Sequence, residues 1–151
     1  MIHALVDHPE LWVAGVATRT RNTDELDPGS ARRPRLWERA APDGAMVAVL
    51  TDYESGHGGE FTQVVGRVVA NPAQAREGQV VVRVPAARYS RVPTRGSSPA
   101  AIVSGWEAIW DAERSGDLIR AYRTDFEVWP ASGPPTIYLS VDRAAGTSSW
   151  S

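Results

Sequence analysis

The sequence predicts an α+β fold built from two β-α-β-β halves with pseudo-twofold symmetry, antiparallel sheets, two main helices and a cleft between the halves. The first observation is an internal repeat, since Thr51-Asp52-Tyr53-Glu54 returns 73 positions later as Thr124-Asp125-Phe126-Glu127. The same offset places Trp37 on Trp110. The second observation is that residues 124–130 alternate in character, so a strand there carries acidic and aromatic side chains on one face and core side chains on the other.

The length and composition are typical of one globular domain. With 151 residues, 42% hydrophobic and 23% charged, the chain can bury a core, and disorder over most of its length is excluded. We expect a single domain over residues 1–143, with halves at about 9–70 and 79–142. The small polar residues of 144–151 predict a flexible tail.

Charge and residue usage exclude several function classes. The net charge is −2 and the basic residues are scattered, so we expect no direct nucleic-acid binding. No apolar run approaches the roughly 20 residues that span a bilayer, which predicts a cytoplasmic protein without membrane contact. Cysteine is absent, and His3, His8 and His57 have no acidic partner at helical spacing. We therefore expect neither a metal site nor a cofactor.

The first half is expected to begin with a strand at 11–20, which is rich in small and β-branched residues. Turn-forming residues in 22–30 predict an exposed loop, after which Ser30 is a candidate cap for a helix with Pro34 in its first turn. Strands at 45–54 and 60–69, joined by a glycine-rich turn, complete this half.

The second half repeats this order. A strand or a strand pair is predicted at 79–84 and 88–92, around Pro85. A helix follows that Ser98 caps, with Pro99 at its first position and Gly116 at its end. Apolar residues of this helix form one stripe, namely Ile102, Val103, Trp106, Ile109 and Trp110. The repeated strand at 124–130 and a last strand at 136–141 follow.

Several of these segments, in this order, resemble the GyrI-like or AraC-type effector-binding domains, and among them the stand-alone integron-associated effector-binding proteins. The similarity covers nearly all of residues 11–142 and is carried by 34–39, 51–55, 59–62, 65–66, 106–110 and 122–128. It implies a duplicated fold that binds bulky, often cationic and lipophilic compounds in a cleft lined by aromatic residues and one glutamate. Glu127 occupies the position of that glutamate. We expect no DNA-binding domain in this sequence.

The chemistry around Glu127 fits such a site. A carboxylate in an apolar cleft is poorly solvated, and an organic cation could compensate its charge while its rings stack on aromatic side chains. The alternative is that Glu127 is solvated or paired with Arg123. Alternation assigns Phe126, and likewise Tyr53, to the core side. The other candidate ligand-binding residues are Trp37, Trp106, Trp110, Trp129, Glu54, Phe61, Tyr89 and Tyr138, and the tryptophans are equally compatible with a core role.

Three functions follow, and the first is a protein that binds hydrophobic, cationic small molecules. The second is a hydrolase of strained, reactive natural products such as cyclopropanoids, with Glu127 and Glu54 as the catalytic carboxylates. The third, a module that binds a protein partner, has the least support because the sequence offers only the scattered acids Asp24, Glu25 and Asp27.

Overall fold

The computed structural model describes residues 3–142, in which eight strands form one sheet beside three α-helices. The predicted tail at 144–151 lies outside the described residues. The strands are β1 (Ala4–His8), β2 (Leu11–Arg21), β3 (Met46–Thr51), β4 (Glu60–Val69), β5 (Val80–Val84), β6 (Ala87–Pro93), β7 (Asp125–Trp129) and β8 (Thr136–Ser140). The helices are α1 (Asn22–Leu26), α2 (Arg33–Ala40) and α3 (Pro99–Ser115), with a 3₁₀ turn at Pro72–Gln74.

All neighbouring strands of the sheet are antiparallel, in the order β1-β6-β8-β7-β3-β4-β2-β5. Strands β3 and β7 pair at the centre, with Ala48 opposite Glu127, and the two copies of the repeat begin at the end of β3 and just before β7. The first threonines of the two copies meet there, since the hydroxyls of Thr51 and Thr124 lie 3.1 Å apart. The predicted α+β fold with antiparallel strands and a cleft is confirmed.

Helix α3 begins and ends where the sequence predicts. The hydroxyl of Ser98 accepts a hydrogen bond from the backbone N–H of Ala101, and Pro99 occupies the first helical position, where its missing N–H costs nothing. Gly116 ends the helix with φ of +84°, a conformation that glycine adopts without strain. In α2 the capping position is Arg32 and not Ser30, while Pro34 lies in the first turn as expected.

Two elements differ from the sequence-based expectation. Residues 22–26, predicted as loop, form α1, because the carboxylate of Glu25 accepts hydrogen bonds from the backbone N–H groups of Arg32 and Arg33 and holds this turn against α2. Strand β1 was not predicted, since its residues are mostly exposed and it is stabilised by pairing with β6 at the sheet edge. Both elements depend on partners distant in the sequence.

The two faces of the central strands carry different cores. On one face Ala48 and Leu50 pack towards the helices, beside Glu127. On the other face Val49 packs with Phe126, as the alternation predicts. Assigning Tyr53 to the same core as Phe126 is wrong, because β3 ends at Thr51 and the alternation stops there: Asp52 has φ of +52°, and the ring of Tyr53 packs on the helix side.

Within residues 3–142, no helix is long and apolar enough to cross a membrane.

Candidate ligand-binding site

A cavity of about 600 Å³ opens between the three helices and the helix-facing side of the sheet. Strand β7 contributes Glu127 and Trp129, and α2 and α3 contribute three tryptophans. The volume lies in the range of small-molecule pockets. The complete lining consists of Asn22, Glu25, Leu26, Ala31, Arg33, Pro34, Trp37, Gln63, Pro99, Ile102, Val103, Trp106, Glu107, Trp110, Glu127 and Trp129.

Glu127 is the buried carboxylate of this cavity, with 5% of its surface exposed. Its Oε2 accepts a hydrogen bond from Nε1 of Trp106 over 2.7 Å, and its Oε1 accepts one from Nε1 of Trp129 over 2.9 Å. Among residues 3–142, no basic side chain forms an ion pair with it. Arg123, the partner considered from the sequence, donates instead to the carbonyl of Val141. The carboxylate is therefore held by two indoles, with no cation beside it.

The tryptophans form two pairs around Glu127. The rings of Trp37 and Trp129 meet edge to face, with centroids 5.3 Å apart. Those of Trp106 and Trp110, one turn apart on α3, are tilted by 35° with centroids 6.5 Å apart. The apolar stripe on α3 therefore contributes both to the core and to the cavity, because Trp106 is 5% exposed and also lines the cavity.

The other charged side chains at the cavity either form hydrogen bonds within the protein or are exposed to solvent. The carboxylate of Glu25 accepts three hydrogen bonds, from the Thr20 hydroxyl and from the backbone N–H groups of Arg32 and Arg33 at the start of α2. Nε of Arg33 donates to Oε1 of the buried Gln63 over 3.0 Å, and Glu107 is exposed on α3. With three carboxylates and one guanidinium in the lining, the cavity carries an excess of negative charge. Among the described residues, no group of histidines or acids could hold a metal ion.

A buried polar network lies beside the cavity. Asp125, at the start of β7, is 0% exposed. Its Oδ2 accepts from Arg120 over 2.7 Å and from the Tyr53 hydroxyl over 2.6 Å, while its Oδ1 accepts from the backbone and hydroxyl of Ser140. The Arg120 guanidinium lies 4.1 Å from the ring centre of Tyr122.

Burial and neighbouring charges shift the pKa values of this network. Burial, followed by the charge of Asp125, raises the pKa of Tyr53 well above its usual range. Burial opposes the charge of Arg120, but the charge of Asp125, the Tyr53 and Tyr122 phenols and a hydrogen bond to Asp125 together more than offset it, so the pKa of Arg120 is raised further. The network consequently keeps a neutral phenol at Tyr53 and a charged guanidinium at Arg120.

A small recess of about 10 Å³ adjoins the cavity and shares with it Asn22, Arg33, Trp106 and Trp110. Its remaining lining comes from Leu50, Tyr53, Phe61, Arg120 and Tyr122. The cavity and the recess are thus two parts of one concave surface.

Five candidate residues predicted from the sequence line the cavity, namely Glu127, Trp37, Trp106, Trp110 and Trp129. Phe61 lies in the recess. Glu54 is exposed and outside the cavity lining, so it is not brought together with Glu127. Tyr89 and Tyr138 pack against Phe126 on the opposite face of the sheet.

Three polar residues that line the cavity or the recess were not found from the sequence, namely Gln63, Arg33 and Arg120. Gln63 had a detectable signal, since it is a polar residue beside Val64 and Val65 in an apolar strand and points to the helix-facing side. Arg33 and Arg120 offered none, because their roles come from packing between distant elements.

Comparison with solved structures shows where this fold occurs. An integron cassette protein from the mobile metagenome of Vibrio cholerae has a TM-score of 0.82 and 25% sequence identity, and the match covers 93% of this chain and 95% of that one. A protein solved in complex with tetraphenylphosphonium has a TM-score of 0.69 and 12% identity, with 97% and 98% covered. A putative bacterial transcription regulation protein from Staphylococcus aureus has a TM-score of 0.64 and 12% identity, with 94% and 99% covered.

At these identities the last two likenesses concern the fold alone. No curated protein sequence matches the chain significantly. The model of one sequence family, described as Cass2, integron-associated effector binding protein, matches residues 4–142. The chain therefore belongs to the family of integron-associated effector-binding proteins.

Proposed function

We propose that the protein binds bulky, hydrophobic organic cations in the cavity, with Glu127 as the counter-charge and the tryptophans as walls. The single observation that carries this proposal is the buried Glu127 carboxylate, which receives two indole N–H groups and no basic side chain. A cytoplasmic location, as inferred from the sequence, stays a prediction.

The charge preference follows from desolvation. A buried carboxylate is costly unless it is hydrogen-bonded and its charge is compensated. The two indoles supply hydrogen bonds but no positive charge, so a cation entering the cavity would gain a strong Coulomb interaction in a medium of low dielectric constant. An anion of the same shape would meet the charges of Glu127 and Glu107, which repel it.

The preference for bulk and apolar surface follows from the lining. Aromatic faces attract cations, and indole is the strongest of them. Trp37 and Trp129 enclose one side of the carboxylate, while Trp106 and Trp110 enclose another, so rings attached to a cation would have stacking partners on both. The structural neighbour solved with tetraphenylphosphonium binds a ligand of this class, which supports the choice of test compound.

The test compares two nearly isosteric ions of opposite charge, tetraphenylphosphonium and tetraphenylborate, by isothermal titration calorimetry. We expect the wild type to prefer the phosphonium by about tenfold or more, the effect of one favourable charged contact. Glu127→Gln keeps the size of the side chain and should abolish most of this preference.

Two variants serve as controls. Glu107→Gln removes an exposed charge of the lining and should alter the preference by less than about threefold, because exposed charges are screened. Glu38→Gln, on the exposed side of α2, should leave both affinities unchanged. If the phosphonium does not bind, or binds Glu127→Gln as tightly as wild type, the proposal is wrong.

The hydrolase alternative has less support from the geometry. It relied on Glu127 and Glu54 acting together, and only Glu127 lines the cavity. Incubating a cyclopropanoid alkylator with one-hundredth of an equivalent of protein and following product by mass spectrometry separates the two functions. Product beyond one equivalent per site would establish turnover, which sequestration cannot give.

A further inference from the structure

Two side chains that line the recess beside the cavity each carry a buried N–H group without an acceptor among the described residues. Neither Nε1 of Trp110 nor Nε of Arg120 has a hydrogen-bond partner within the described residues. Both side chains line the recess, and the side chain of Arg120 is 2% exposed. Trp106, one turn earlier on α3, differs from Trp110 because its indole N–H donates to Glu127.

Buried polar groups in folded proteins are nearly always hydrogen-bonded, so these two donors, unpaired within residues 3–142, call for a further acceptor. The recess has a volume of about 10 Å³, which is close to what a single oxygen-sized atom occupies. The acceptor is therefore one atom, either that of a water molecule or that of a bound compound.

The charges around the recess decide which kind of acceptor fits. Two guanidinium groups, those of Arg33 and Arg120, line the recess. Arg120 forms ion pairs with two carboxylates, Asp125 at 2.7 Å and Glu113 at 3.5 Å, so the two positive charges are matched by two negative ones. A carboxylate from a ligand would approach a site whose positive charge is already neutralised. An uncharged oxygen needs only the two N–H groups.

We propose that the recess is a subsite for an uncharged acceptor oxygen of the ligand, such as a carbonyl oxygen. This inference rests on the proposed function. It narrows the ligand class to aromatic cations that carry a carbonyl-type oxygen on one ring, at the end of that ring away from the charged centre. The cation then lies against Glu127, and the oxygen accepts from Trp110 and Arg120 at the other end. Trp106 lines both spaces.

The test uses two phosphonium ions that differ in one group, (4-acetylphenyl)triphenylphosphonium and (4-isopropenylphenyl)triphenylphosphonium. They have the same shape, but C=O in the first is C=CH₂ in the second. We expect the wild type to bind the acetyl compound about tenfold more tightly, as for one buried hydrogen bond. Trp110→Phe removes one of the two N–H donors and should reduce this ratio to about threefold or less, whatever it does to either affinity alone.

Trp12→Phe is the matched control, because Trp12 lies on β2 outside both spaces, and it should keep the tenfold ratio. Equal affinities of the wild type for the two compounds would overturn the proposal and assign the two N–H groups to a water molecule. The same ratio in Trp110→Phe as in the wild type would also overturn it. Either result leaves the proposed function standing if tetraphenylphosphonium binds in a Glu127-dependent manner.

Discussion

The indole N–H of Trp106 on α3 donates to the carboxylate of Glu127 on β7 over 2.7 Å, and both residues are 5% exposed. This bond joins the longest helix to the centre of the sheet at the site itself. The residue that orients the carboxylate thus also anchors α3.

Trp106→Phe keeps an aromatic ring and removes this donor. We expect the free energy of unfolding to fall by about 1–3 kcal/mol, because Oε2 of Glu127 stays buried with one donor fewer. Urea unfolding followed by circular dichroism measures the change. Trp12→Phe makes the same substitution at a half-buried position of β2 and should cost clearly less. Equal losses in the two variants would mean that the hydrogen bond contributes nothing beyond ring packing.

The ion pair of Asp125 and Arg120 is buried, since their side chains are 0% and 2% exposed. Asp125→Asn should lower the free energy of unfolding by about 3–5 kcal/mol, since the guanidinium of Arg120 stays buried without its main counter-charge. Asp111→Asn breaks an ion pair whose side chains are 70% and 71% exposed, and should cost about 1 kcal/mol or less. Chemical denaturation of both variants gives the comparison, and similar costs would contradict the structural role given to Asp125.

The parts of the fold that the sequence predicted well are those with local signals. Strand β7 and helix α3 follow from alternation, an apolar stripe, a capping serine and a terminal glycine, each readable within a few residues. The helix-facing position of Glu127 follows from the same alternation. Helix α1 and strand β1 were missed because contacts with α2 and β6, and not their own residues, stabilise them.

The candidate site shows the same limit. Alternation placed Tyr53 on the wrong face, because a single left-handed residue, Asp52, interrupts the periodicity between strand and turn. The ion pair of Asp125 was not predicted, since Arg120 lies outside the named helices and strands and reaches its partner only through tertiary packing. Sequence patterns identify the faces of elements, whereas contacts between irregular segments need the structure.

Stability should fall at alkaline pH because buried tyrosines must ionise. Tyr89 is 1% exposed and donates to the carbonyl of Pro85 over 2.6 Å, and burial, with the charge of Asp125, raises its pKa from 10.0 to about 12. The pKa values of Tyr53 and Tyr122 are also raised, chiefly by burial. Above pH 10 the unfolded chain loses these protons first, so the stabilisation is complete below pH 10 and is lost as the pH rises to about 12.

Urea unfolding at intervals between pH 9 and pH 12 measures this effect. We expect a steady fall in the free energy of unfolding, and a shallower one in Tyr89→Phe, whose side chain cannot ionise. Absorbance at 295 nm should report fewer ionised tyrosines in the native than in the urea-unfolded protein at pH 11. A flat profile would show that the phenols ionise alike in both states.

The pairing of β2 with β4 depends on two glycines that face each other, Gly15 and Gly66. A Cβ at Gly15 would lie 2.1 Å from the carbonyl oxygen of Val65, and one at Gly66 would lie 2.0 Å from that of Ala14. These obstacles are backbone atoms, which cannot rotate away as a side chain could. Gly15→Ala should therefore lower the free energy of unfolding by about 3 kcal/mol. Gly58→Ala, where a Cβ meets nothing within 4 Å, should change it by about 0.5 kcal/mol at most. Thermal unfolding distinguishes them, and a Gly15→Ala variant as stable as Gly58→Ala would mean that the two strands can separate at this point without loss of pairing.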